Sequence, residues 1–106
     1  MSKRIDYKAL AKNIPHNVQV ANKRAYEVLY SDTIKFDNNI MGETRFDPPQ
    51  IVLQTGQSSR EMVLTYWHEF LHAISEEHEV PLTESEVRRL ERSFTYFYKF
   101  FDTLKG

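Results

Sequence analysis

Leu64, Trp67, Leu71 and Ile74 recur three or four residues apart. An apolar stripe at that spacing can be buried only if the segment is a helix, so this stretch sets what the rest of the chain must do. Ser58 or Ser59 can cap the helix, with Glu61 in its first turn, and Pro81 closes it or the loop that follows. Thr83 then opens a second helix, with Val87, Leu90, Phe94, Phe97, Phe101 and Leu104 in a 3-4 pattern.

Upstream the texture changes to strand. Val18 and Val20 flank a polar residue, Tyr26, Val28 and Tyr30 alternate with their neighbours, and Asn22-Lys23 between the two runs can turn a hairpin. A polar loop is expected from Asp32 to Asn39, a short strand from Gly42 to Phe46, and a turn at Asp47-Pro48-Pro49. Ile51, Val52 and Leu53 form another strand, ended by Thr55-Gly56, and a short helix is expected around Ile5, Ala9 and Leu10. The fold class is therefore α+β in one domain spanning residues 1–106: a small antiparallel or mixed sheet followed by two packed helices.

Composition narrows the function classes. With 41% hydrophobic and 27% charged residues the chain is globular. A net charge of −1 gives no basic field for nucleic acid, and Arg88, Arg89 and Arg92 read as a solvated helix face. No cysteine is present, which excludes disulfides, thiolate metal sites and a cysteine nucleophile. The basic N-terminus has no apolar run behind it, and no run of about 18 apolar residues occurs, so the expectation is no secretory signal, no membrane span and a cytoplasmic location.

Three of the four histidines lie in YWHEFLHAISEEH, residues 66 to 78. His68 and His72 stand four apart, so a helix advances about 400° between them and sets their rings on nearly one face, roughly 6 Å apart along the axis. Two imidazoles so placed can share one Zn²⁺, while Glu69 is swung to the side, where it can act on a water. Random placement of these residue types would produce H-E-x-x-H in only about 1% of such chains. A zinc site needs a third protein ligand. His78 would complete the longer H-E-x-x-H-x-x-G-x-x-H pattern, but Ser75 stands where glycine permits the turn. An unbroken helix carries His78 roughly 15 Å along the axis from His68. Glu84 and Glu86 begin the returning helix. Thr83-x-x-Glu86 is a capping box, which already employs Glu86, so Glu84 is the first choice with Glu86 and His78 behind it.

From Gly42 to Phe101 the chain resembles the small HExxH zincin-like metallopeptidases of phages and prophages, a minimal gluzincin arrangement. The resemblance rests on the strand QIVLQT, on YWHEFLHAI, and on PLTESEVRRLERSF, in which Leu82, Thr83, Glu84 and Val87 fall on the family's pattern. It implies His68, His72 and Glu84 as ligands of one Zn²⁺ per chain and Glu69 as the catalytic base. By the same analogy the strand Ile51–Leu53 lies at a sheet edge, where an extended peptide can add. There are two departures. Glu79-Val80-Pro81 replaces the glycine usual before the second helix, and Arg88 stands where larger gluzincins carry an acid.

The function so implied is zinc-dependent hydrolysis of peptide bonds in a peptide or protein substrate, through a metal-activated water with Glu69 as general base. The rival reading is a catalytically silent metal-binding or protein-interaction module that keeps the same residues.

Overall fold

The computed structural model describes residues 5–32 and 41–104, with side chains up to residue 94. All but the first residue of the loop expected from Asp32 to Asn39, and the side chains of Phe97, Phe101 and Leu104, lie outside these. The fold is α+β, and among the described residues it comprises a four-stranded mixed sheet with three helices.

Asp6 caps the first helix, α1 (Tyr7–Lys12), by accepting from the Ala9 amide at 3.1 Å. Strands β1 (Asn17–Ala21) and β2 (Arg24–Ser31) form an antiparallel hairpin. Its turn is Asn22-Lys23, with Lys23 at φ 62. Strands β3 (Gly42–Phe46) and β4 (Pro49–Gln54) form a second antiparallel hairpin around Asp47-Pro48, whose peptide bond is cis. Pro49 has no amide hydrogen to give a ladder, and it stands at the first position of β4, where proline is tolerated.

The strand order is β1-β2-β4-β3, with β2 and β4 parallel. This corrects one expectation. Ile51–Leu53 is not an edge, because β4 is paired on both sides; among the described residues β1 and β3 are the two edge strands. β4 is buried on both faces, which accounts for the unbroken apolar run: Ile51, Val52 and Leu53 are all buried.

Helix α2 (Ser59–Glu77) lies on the sheet, and its Val63, Tyr66, Trp67 and Ala73 pack with Val20, Tyr26, Val28, Ile51 and Leu53. Ser58 is its N-cap. Of the expected stripe, Trp67 and Leu71 are buried, whereas Leu64 and Ile74 are only half-buried. The helix is covered by the sheet, by α1 and by helix α3 (Glu84–Leu104), so its buried surface is wider than one stripe. On α3, Val87 is fully buried and the Phe94 ring stacks on Trp67 at 5.0 Å, while Leu90, expected in the core, is 37% exposed.

Between the helices the chain reverses at Glu79, which has φ 54. The Val80 amide reaches back to the Ser75 carbonyl at 3.0 Å. This is the six-to-one bond of a Schellman turn, and Glu79 occupies its left-handed position, normally glycine's. The missing glycine therefore does not remove the reversal. α3 starts from the capping box: the Glu86 amide donates to Thr83 Oγ1 at 3.1 Å and the Thr83 amide donates to Glu86 Oε1 at 3.0 Å. Among the described residues no helix is long and apolar enough to cross a membrane.

Candidate metal centre

One turn of α2 separates His68 from His72, and their Nε2 atoms are 3.1 Å apart. Glu84, the first residue of α3, closes the group from across the helix pair. Its Oε1 lies 2.9 Å from His72 Nε2 and its Oε2 lies 3.4 Å from His68 Nε2. One ligand atom from each of the three residues falls within 4.8 Å of the others, a group able to hold a metal ion. Nitrogen and oxygen ligands about 2.0–2.2 Å from a tetrahedral ion stand about 3.3–3.6 Å from one another. The 3.1 Å between the two Nε2 atoms and the 2.9 Å from His72 to Glu84 Oε1 lie slightly inside that spacing, while the 3.4 Å contact to His68 is made by the other carboxylate oxygen, Oε2.

The two alternative ligands are engaged elsewhere. His78 Nε2 is 2.8 Å from the Val20 carbonyl on β1. Glu86 is held in the capping box.

Two residues that the motif does not reveal join the site. Glu91, two turns along α3 from Glu84, places Oε2 2.8 Å from His68 Nδ1. A proton on Nδ1 donated to that carboxylate leaves the Nε2 lone pair for a metal. The Glu91 contact is also the main reason why His68 is shifted above the ordinary histidine pKa. Arg88 lies between Glu84 and Glu91 in sequence and lines the cleft, but it does not take up the acid's role. Residues 84, 88 and 91 share a helix face, and that periodicity was the available signal for Glu91.

Thr44 on β3 is the other. Its Oγ1 lies 2.8 Å from Glu69 Oε1 and 2.9 Å from the Glu69 carbonyl. Glu69 is only 8% exposed, and burial raises its pKa above the usual carboxylate range against the lowering by Thr44 and both histidines. A carboxyl so shifted is better matched to proton exchange near neutral pH.

β3 can come this close to α2 because Gly42 carries no side chain. A Cβ there would stand 2.6 Å from Thr65 Cγ2 and 3.0 Å from Glu69 Cγ. Gln57 ties the same corner together, donating to the Met41 carbonyl at 3.2 Å and to the Gln54 carbonyl at 2.8 Å while accepting from Thr65 Oγ1 at 2.8 Å.

The group opens into a cleft of about 840 Å³ between β3, α2 and the start of α3. That is in the range of pockets that hold small ligands or a short peptide segment. Comparison with family models, with curated proteins and with solved structures returns no match.

Proposed function

We propose that this chain is a zinc-dependent peptidase, with His68, His72 and Glu84 as metal ligands and Glu69 as general base. The observation that carries the reading is the convergence of both imidazole Nε2 atoms and the Glu84 carboxylate on one point, beside a buried and hydrogen-bonded Glu69. Two nitrogens and one carboxylate suit zinc in donor type and leave one position of a tetrahedron open, as catalytic sites require. When bound, zinc would supply a Lewis acid that acidifies water and polarises a substrate carbonyl.

The protein's own contributions follow from the geometry. Glu91 orients His68 through Nδ1. The Glu69 carboxylate accepts a proton from the attacking water and returns it to the leaving amine, a role suited to a carboxyl whose pKa burial has raised. The edge strand β3 borders the cleft and offers backbone groups to which an extended peptide can add as a further strand.

The test is metal content per chain by mass spectrometry on wild type, His72→Ala and Glu84→Gln, followed by turnover of a pool of internally quenched peptides. The expected result is about one zinc in wild type, none in His72→Ala and a sharp loss in Glu84→Gln. Glu69→Gln keeps the zinc and loses turnover. A wild type that binds no metal after zinc addition and dialysis sinks the proposal. Zinc binding without turnover leaves the silent metal-binding module as the better reading.

A further inference from the structure

The Thr44 hydroxyl is placed for more than fastening an edge strand. It belongs to β3, twenty-five residues from Glu69 in sequence, yet it meets both the carboxylate and the backbone carbonyl of that residue at 2.8 and 2.9 Å. A hydroxyl has one proton to donate, so it can satisfy only one of these acceptors at a time. The charged carboxylate gains more from it than the carbonyl does. Gly42, two residues earlier on the same strand, is what lets β3 approach so near, since a Cβ there would meet Glu69 itself. Threonine suits the task because two heavy atoms on its Cβ restrict χ1 and hold the hydroxyl in one direction.

We propose that Thr44 is a positioning residue for the general base, holding Glu69 Oε1 so that Oε2 is the oxygen that exchanges the proton. This rests on the peptidase reading of the site. A glutamate has three rotatable side-chain bonds, and a base that wanders by about 1 Å can lose on the order of 100-fold in rate. Thr44 removes that freedom by fixing one of the two carboxylate oxygens. Both hydrogen-bond contacts of its hydroxyl go to Glu69.

Thr44→Val keeps the shape of the side chain and deletes its donor, whereas Thr44→Ser keeps the donor and deletes the methyl group. Four readouts are compared: zinc content, thermal midpoint, kcat and KM on a pool of internally quenched peptides, and the ¹³C resonance of the Glu69 carboxyl in the metal-free protein at fixed pH. Thr44→Val should retain its zinc and lose kcat by about 10- to 100-fold with KM changed by less than about threefold. Thr44→Ser should recover most of kcat. The Glu69 resonance should move in Thr44→Val and stay near its wild-type position in Thr44→Ser.

A purely structural fastener would instead lower the thermal midpoint of Thr44→Val while leaving its kcat, measured below that midpoint, at the wild-type value. That result, or an unmoved Glu69 resonance, overturns the assignment. Thr44→Ala takes the place of Thr44→Val if the valine variant does not fold. Full turnover by Glu69→Gln sinks the peptidase reading itself. Loss of turnover in Glu69→Gln beside wild-type kcat in Thr44→Val sinks the role of Thr44 alone.

Discussion

Glu69 carries a conflict between stability and chemistry. Burial penalises its charged form and raises its pKa, whereas Thr44 and the two histidines pull the other way without cancelling the shift. A carboxyl whose folded pKa is raised costs no stability below its unfolded pKa, and stability is lost as pH rises from there through the folded value. Glutamine keeps the shape and an acceptor for Thr44 but carries no charge. In the metal-free protein at pH 7, Glu69→Gln should therefore raise stability by about 1 kcal/mol, while abolishing any turnover. The gain should vanish below the ordinary carboxylate range of about pH 4, where the wild-type residue is also neutral. Urea denaturation of the two metal-free proteins at both pH values checks this, and equal stability at pH 7 would refute it.

At the scale of elements, the site depends on where α3 begins. Glu84 is its first residue, and it reaches the histidines because the reversal at Glu79 and the capping box at Thr83 set that start. Further along, the Trp67–Phe94 stack keeps the two helices together. Thr83→Ala removes the acceptor for the Glu86 amide and should cost about 1 kcal/mol. It should also weaken zinc binding measurably, because a frayed first turn no longer holds Glu84 against His72. Thermal unfolding and zinc titration read the two effects separately. The cap also holds Glu86 below the ordinary carboxylate range, through its bonds to Thr83. With a folded pKa lowered in this way, the stabilisation is complete above the unfolded value and is lost as pH falls through the folded one.

For the whole molecule, a bound metal would compete with protons for one ring. In the metal-free protein the contact with Glu91 raises His68 above its usual range. That contribution is fully present below about pH 6.5 and disappears as pH rises through the folded value. Zinc needs the ring neutral on the nitrogen it binds, so its stabilisation runs the opposite way. The gap in melting temperature between zinc-loaded and chelated protein should widen from about pH 5.5 to about pH 8. At a free zinc concentration of about 100 times Kd the metal adds about 2.7 kcal/mol. A gap that stays constant over this range, measured by calorimetry, would count against His68 as a ligand.

What could be read from the chain alone was local. The spacing of His68, Glu69 and His72, the capping box of Thr83 and Glu86, the turn at Asn22-Lys23 and the strand from Gly42 to Phe46 all involve residues a few positions apart, where helix and turn geometry leave little choice. The engagement of His78 with Val20, of Glu91 with His68 and of Thr44 with Glu69 spans 58, 23 and 25 residues. Periodicity can place Glu91 on the same helix face as Glu84, but it does not encode which residue of another element each side chain meets. The same holds for the position of β4 inside the sheet, for the exposure of Leu90, and for Gly42, whose missing side chain matters only because Thr65 and Glu69 stand against it. Local sequence determined which side chains could meet a metal. Only tertiary packing decided which carboxylate completes the group and what holds each member in place, because those choices depend on distances between elements that the chain's order does not contain.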